Sequence, residues 1–315
     1  MSHLIEETQK AGKNENLKWQ KISHESIDGV VPGIRGQRAF PTRQVNYADP
    51  FVLLDHIGPQ IMPDDYYMDG HMHPHRGFET ITIMLAGNLL HKDNFNRRSR
   101  LTTGGVQLMN AGRGISHGGD MWADESSGEF HEVQLWVNSP ASEKMSEPTV
   151  KNFDASQIPV IEKNDLNLRI IAGTQQDQNG LIHTGPVNTF ANICVFHGLT
   201  LPENKHLQGS TQQLNTIEIN PGHDRILIYV LKGSMNVQFS GGSEALATYE
   251  TLLIENTSED EVNLSELTIS HVTGEFLILS GQSLNQAMVM GGPFVMNTLE
   301  QIKQANIDNA NGYFD

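Results

Sequence analysis

Apolar and polar residues alternate along several short segments of the chain, which is the pattern of β-strands that bury one face. Glycine and proline separate these segments, and the chain contains 29 Gly and 13 Pro residues. The pattern predicts six principal strands, at residues 80–85, 106–109, 133–137, 214–219, 226–231 and 275–279. The sequence therefore predicts an all-β protein.

Helical periodicity is concentrated near the end of the sequence. Residues 299–310 are rich in Glu, Gln and Ala, and either Asn297 or Thr298 precedes them as a cap. We expect one short C-terminal helix there.

A polar segment divides the chain into two strand-rich halves. Residues 140–165 contain Pro148 and Pro159 and few strand-forming residues, which predicts a linker between domains at residues 1–150 and 151–315. A weak internal repeat supports this division, because residues 78–87 and 225–234 are both β-like runs that close on a glycine turn. Many short strands in each half predict two closed antiparallel barrels or sandwiches, which leave few exposed edges.

Composition narrows the classes of function. Hydrophobic residues make up 37% of the 315 residues, which together with glycine is the usual apolar share of a globular protein. The 21 basic and 37 acidic side chains give a net charge of −16, which disfavours direct binding to nucleic acid. No apolar run is long enough to span a membrane, and the start of the sequence lacks a signal-peptide pattern. The single cysteine, Cys194, can form no internal disulfide. We expect a cytoplasmic protein.

Histidines cluster in one part of the chain. His71, His73 and His75 occupy alternate positions, and alternate residues of a strand point to the same face, so two of these imidazoles can bind one metal ion. His117 follows a glycine-rich turn that could return a third imidazole to the same barrel interior. Three neutral imidazoles suit iron, copper, nickel or zinc. The alternatives are a surface metal-binding patch and histidines that only satisfy hydrogen bonds.

These residues resemble the signatures of pirin-family bicupins. The similar segments are residues 49–56 (DPFVLLDH), 73–80 (HPHRGFET), 112–117 (GRGISH), 135–138 (LWVN) and 292–298 (GPFVMNT), in the order that the family shows. The resemblance implies two stacked cupin β-barrels with one metal in the N-terminal barrel. It implies the ligands His73, His75 and His117, and it leaves His71 outside the set as a solvated loop residue.

The fourth ligand is where the chain departs from the family. The family has a glutamate two residues after the third histidine, and this chain has Gly119 there. The candidates for the fourth position are water first, Glu79 second and Asp120 third. Asp120 requires a loop or bulge, because a shift of one residue along a strand reverses the face to which a side chain points.

The second half of the sequence has no comparable histidine cluster. His223 stands alone in the segment 220–225 (NPGHDR), where a metal-binding cupin shows two alternate histidines. A lone histidine is more often structural than metal-binding. We therefore expect a metal-free C-terminal barrel that supports the first one.

The sequence also predicts the contacts or the exposure of four further residues near the expected site. Arg76 and Glu79 flank the first ligand strand, and we expect them to pair and to orient His75. His131 and Glu132 open another strand and alternate in direction. Either of them could lie directly behind a metal ligand, but we expect first that both are exposed to solvent at the start of that strand.

The activity that the resemblance implies is that of a quercetin 2,3-dioxygenase. Such an enzyme binds a flavonol through its hydroxyl oxygens to the metal, and dioxygen then cleaves the central ring with release of carbon monoxide. In the family the liganding glutamate is also the proposed base, and Gly119 removes it from that position. The alternative function is a metal-binding regulatory or protein-interaction module with weak or no oxygenase activity.

The resemblance also sets the expected cofactor and partners. The expected ion is one divalent transition metal, Fe(II) first, with Ni, Cu, Zn and Mn as alternatives. A flavonol-like molecule and dioxygen are the partners of an enzyme, and a protein partner fits the regulatory alternative. We expect a monomer.

Overall fold

The computed structural model shows a chain of antiparallel β-strands that ends in one helix. It describes residues 12–13, 16–28, 30–63, 66–201, 214–257 and 264–314. All six predicted strands are present, so the prediction of an all-β fold is confirmed. Among the helices in the described part of the chain, none is long and apolar enough to cross a membrane.

Most strands of the first half form a barrel from two sheets, and the first two strands join the large sheet of the second half instead. In chain order the strands are β1 (Gly12–Lys13), β2 (Leu17–Ile22), β3 (Glu25–Ser26), β4 (Gly36–Phe40), β5 (Phe51–Ile61), β6 (Tyr67–Met68), β7 (His73–His75), β8 (Phe78–Ala86), β9 (Asn88–Asp93), β10 (Arg98–Thr102), β11 (Val106–Asn110), β12 (Ile115–Trp122), β13 (Glu129–Asn138) and β14 (Thr149–Phe153). One sheet has the order β14-β11-β8-β13-β5-β4-β3, and the other has the order β10-β9-β12-β6 with β7 beside β12. Met84 and Phe130 of the larger sheet share a core with Leu89 and Leu101 of the smaller one, which closes the barrel.

The strands of the second half form mainly one large sheet around a second core. They are β15 (Val160–Lys163), β16 (Leu166–Ala172), β17 (Thr174–Gln176), β18 (Ile182–Thr184), β19 (Ile193–Thr200), β20 (Asn215–Glu218), β21 (Arg225–Phe239), β22 (Gly242–Ala247), β23 (Thr251–Asn256), β24 (Glu266–Gly281), β25 (Val289–Gly291) and β26 (Phe294–Met296). The sheet has the order β1-β2-β23-β21-β24-β19-β16-β15, with β20 beside β24 and β22 beside β21. The repeated segments of the sequence correspond to β8 and β21, which both lie in the interior of their sheets.

The expectation of a strand-poor linker at residues 140–165 is wrong. β14 pairs with β11, and β15 pairs with β16, each at the edge of its sheet. Pro148 and Pro159 directly precede these two strands, where a proline removes no hydrogen bond from the ladder. The segment is polar because edge strands are partly exposed to water. The division into domains at residue 150 stays a prediction.

The two sides of the larger N-terminal sheet have different environments. Ile81, Val133 and Leu135 belong to a core that also contains Leu227 and Leu279 of the second half. This side therefore packs between the two halves and holds them together. Because strand residues alternate in direction, the even-numbered residues of β8 and β13 point into the N-terminal barrel.

The helix α1 (Leu299–Ala310) spans the predicted residues, and its cap is Thr298. The Thr298 hydroxyl accepts a hydrogen bond from the Gln301 backbone N–H, and the Gln301 side chain accepts one from the Thr298 backbone N–H. Ile302 on the buried face of the helix packs with Phe294 and Phe314. The segment also contacts the N-terminal barrel, because Phe294 forms an isolated β-bridge with Arg76.

Candidate metal centre

Three histidines meet where β7 pairs with β12. In this antiparallel pair His73 lies opposite His117, and His75 lies opposite Ile115. The centroids of the His73 and His117 rings are 4.4 Å apart, and those of His75 and His117 are 5.0 Å apart. The ligand atoms of the three side chains all lie within 4.8 Å of one another. We call His73, His75 and His117 the histidine group.

The hydrogen bonds of the histidine group leave metal-binding nitrogens free. The Nδ1–H of His73 donates to the His71 carbonyl at 3.0 Å, and the Nδ1–H of His75 donates to the Pro293 carbonyl at 3.2 Å. Each Nε2 then carries a lone pair, because a neutral imidazole has only one N–H. The Nε2 of His117 is buried and has no hydrogen-bond partner. A buried nitrogen without a partner beside two free ones is the arrangement that a metal ion satisfies.

Burial favours the neutral form, which metals require, for two of the three imidazoles, those of His75 and His117. Burial is the main reason why the pKa of His75 is lowered to about 3, and the neighbouring His73 is the second reason. Burial, followed by the other histidines, holds the pKa of His117 well below its ordinary value. Protons therefore do not compete with a metal for these two side chains at neutral pH.

Aromatic rings enclose the inner side of the histidine group. The His75 ring lies 5.2 Å from both the Phe78 ring and the Trp136 ring. The Trp136 indole N–H donates to the Gln134 side chain at 3.2 Å, which fixes the orientation of the indole. Both aromatic side chains are carried by interior strands of the larger sheet, so this wall is rigid.

The C-terminal segment positions the first ligand strand. The Val295 N–H donates to the Arg76 carbonyl, and the Arg76 guanidinium donates to the Asp308 carboxylate at 2.7 Å. The ammonium group of Lys144, which is also buried, donates to the carbonyls of both Gly77 and Val295. The expected Arg76–Glu79 pair is therefore wrong, since the partner of Arg76 is supplied by the C-terminal helix.

Glu79 lies outside the histidine group. Its carboxylate accepts a hydrogen bond from the Phe190 N–H at 2.9 Å, in the second half of the chain. Phe78 faces His75, and the next residue of an extended strand faces the opposite side. Burial raises the pKa of Glu79 to about 7 at this position between the two halves. The structure thus argues against Glu79 as a fourth ligand.

Asp120 also points away from the histidine group. The pairing of β12 with β9 runs without interruption from His117 to Trp122, so the bulge that Asp120 would need is not there. The Asp120 carboxylate instead accepts from the Lys92 ammonium at 2.6 Å. Water is the remaining candidate of the three for the fourth position.

His91 is a neighbour of the site that the sequence reasoning missed. Its ring lies 5.4 Å from the His117 ring at an interplanar angle of 27°, and its Nε2 lies 3.2 Å from the Asp93 carboxylate. Asp93 also accepts hydrogen bonds from the backbone N–H groups of Phe95 and Arg97 in the hairpin turn. The alternation of His91 and Asp93 on a strand, like that of the ligand histidines, is the signal that could have revealed the pair.

The other residues named from the sequence lie as follows. His71 is exposed in the loop before β7, and its imidazole is outside the histidine group, as expected. His223 is buried in the second half, with Nδ1 at 2.8 Å from the Ser280 hydroxyl.

His131 and Glu132 are only 5% and 3% exposed, so the expectation of solvent exposure is wrong. A bulge separates them, so that His131 contacts His56 near the second half, and Glu132 lies between Ile57 and Met84 of the N-terminal barrel.

Comparisons with known proteins agree with this fold. The pirin family model matches residues 33–137, and the model of the pirin C-terminal cupin domain matches residues 207–315. A Pseudomonas aeruginosa protein, provisionally named quercetin 2,3-dioxygenase, is 32% identical over 92% of this chain and 94% of its own length. Human pirin is 27% identical over 95% of this chain and 94% of its own length.

A crystal structure extends the agreement to three dimensions. Quercetin 2,3-dioxygenase from Acinetobacter baumannii superimposes with a TM-score of 0.77 at 29% identity, over 93% of this chain and 96% of that one. The predicted pair of cupin barrels is thus confirmed. Sequence and structure together show that this chain is a bicupin that belongs to the pirin family.

Proposed function

We propose that the protein is a metal-dependent dioxygenase of the quercetin 2,3-dioxygenase type. The observation that supports this proposal is the histidine group, with three nitrogens free to bind one ion, in a chain similar to proteins that carry this name. The proposed ion is Fe(II), and Ni, Cu, Zn and Mn remain alternatives. The proposed substrates are a flavonol-like molecule and dioxygen.

The residues around the histidine group suit this chemistry. A divalent ion bound there would act as a Lewis acid and would lower the pKa of a coordinated hydroxyl group. His73 and His75 are oriented by backbone carbonyls, so little reorganisation is needed when they bind a metal. Phe78 and Trp136 offer an apolar wall against which a flat aromatic ring can pack.

The test compares two nearby histidines, one inside and one outside the histidine group. Protein reconstituted with each metal is incubated with quercetin in air, and the loss of quercetin and the release of carbon monoxide are measured. His75→Ala should abolish both signals, and the matched variant His71→Ala should retain them, because His71 lies outside the group. An incubation without oxygen is the negative control. Equal activity in the two variants would refute the assignment.

Gly119 favours a second candidate function, that of a metal-binding regulatory or protein-interaction module. Neither Glu79 nor Asp120 faces the site to replace the family's glutamate as a base. A protein that binds one metal per chain and leaves quercetin intact with every metal would support this candidate. Its partner would be another protein. The monomeric state and the cytoplasmic location remain part of the proposal.

A further inference from the structure

A buried carboxyl group without a partner lies inside the N-terminal barrel. Glu132 is 3% exposed, and its Oε2 is buried without a hydrogen-bond partner. Burial alone raises the pKa of Glu132 to about 7. Buried polar groups in proteins nearly always have partners, because burying an unpaired one costs stability. A contribution to folding stability therefore does not explain why a carboxyl group occupies this buried position.

The carboxyl group faces the same interior as the metal centre. From Glu132 to Trp136 the pairing of β13 with β8 is continuous, so Glu132, Gln134 and Trp136 share one face. The residues between them, Val133 and Leu135, belong to the core between the two halves and mark the opposite face. Trp136 contacts the ring of His75.

The side chains that pack around Glu132 are apolar. Ile57 and Met84 lie directly opposite Glu132 on the two neighbouring strands, and both belong to an apolar cluster that includes Leu89. Leu89 in turn occupies the space beside Gly119. An apolar lining with one placed polar group is typical of small-molecule sites.

The separation of Glu132 from the metal centre fits a ligand that reaches both. Four residues of strand, at about 3.4 Å each, place Glu132 about 14 Å from Trp136 along β13. This length is comparable with the long axis of a three-ring flavonol. One end of such a molecule carries the oxygens that bind a metal, and its outer rings carry hydroxyl groups.

We propose that Glu132 is a second binding point for the ligand of the histidine group and accepts a hydrogen bond from a phenolic hydroxyl group on the outer part of that ligand. This inference rests on the proposed function. It assigns a preference for polyhydroxylated flavonols to a residue distant from the metal. Without ligand the protein is then less stable than it could be, because Glu132 is buried without a hydrogen-bond partner.

The experiment measures how strongly the metal-loaded protein distinguishes quercetin from 3-hydroxyflavone, which lacks the outer hydroxyl groups. Dissociation constants are determined without oxygen at pH 8 for the parent, Glu132→Gln and Glu79→Gln. Glu79 is the matched control, because it is also buried but faces the other side of the sheet. The parent and Glu79→Gln should prefer quercetin by about 10- to 100-fold, the range for a hydrogen bond to a charged group. Glu132→Gln should lose most of this preference while it keeps its metal content.

The possible failures can be told apart. If the parent binds neither flavonol, the proposed function fails and this inference fails with it. If the parent prefers quercetin and Glu132→Gln shows the same preference, this inference alone fails.

A thermal melt of Glu132→Leu without ligand supplies a second measurement. Since the carboxyl group is unpaired, its removal should leave the melting temperature unchanged or raise it. A clear fall would show that Glu132 supports the fold and would overturn the inference.

Discussion

The family has a glutamate where this chain has Gly119, and the variant Gly119→Glu tests directly whether the missing carboxylate limits metal binding and activity. Gly119 lies within the regular pairing of β12 with β9, opposite His91. It is not among the glycines with positive φ, so a side chain at this position meets no backbone strain. The side chain would point to the same face as His117, two residues before it. The substitution therefore places a carboxylate toward the metal centre.

The obstacle to this variant is packing. A Cβ atom at residue 119 would lie 2.3 Å from the Cδ1 atom of Leu89, which must move aside. Leu89 is 7% exposed and belongs to the apolar cluster of the barrel. Overpacking of this kind costs about 1–3 kcal/mol of stability. Leu89→Ala makes room, so Gly119→Glu should destabilise the Leu89→Ala background less than it destabilises the parent.

The assay combines stability, metal affinity and turnover. If the absent glutamate limits the parent, Gly119→Glu with Leu89→Ala should bind metal more tightly and cleave quercetin about 100- to 10,000-fold faster, which is the usual contribution of a positioned general base. Leu89→Ala alone is the control for changes in packing. If the double variant folds and binds metal but turns over no faster than Leu89→Ala, the missing glutamate is not what limits activity.

Four further predictions follow from the structure. His75→Ala should greatly reduce the ratio of metal to protein in elemental analysis, because it removes a buried ligand. His223→Gln should leave this ratio unchanged, since His223 lies in the second half and contacts Ser280. Asp308→Asn should weaken metal binding in a competition titration, because it removes the charge that holds Arg76 beside His75, and an affinity equal to that of the parent would contradict this. Burial raises the pKa of Glu132 from 4.5 to about 7, so the folded state binds a proton more strongly than the unfolded state does. As the pH rises from about 4.5 to 7, the parent should lose about 3 kcal/mol of stability relative to Glu132→Gln in denaturant titrations. An equal pH dependence of the two proteins would show that the pKa of Glu132 is not raised by folding.

Local patterns in the sequence were sufficient for the six principal strands, for the C-terminal helix and for the three histidines that the fold brings together. Alternation of apolar residues identifies the interior strands, and the composition and cap of residues 299–310 identify the helix, because these signals depend on neighbours along the chain. The spacing of His73 and His75 implies one face of a strand for the same reason. The edge strands β14 and β15 escaped notice, because a strand that is partly exposed to water needs no apolar alternation.

The directions and partners of the remaining polar residues were decided by the tertiary structure. Glu79 and Asp120 are near the histidine group in the sequence, yet the pairing of β8 and β12 turns both carboxylates away from it. The carbonyl that orients His75 belongs to Pro293, 218 residues further along the chain. Glu132 is buried because the N-terminal barrel closes around its cross-strand neighbours Ile57 and Met84. Such contacts join residues that are remote in sequence, and since only folding brings them together, no local pattern of residue types can encode them.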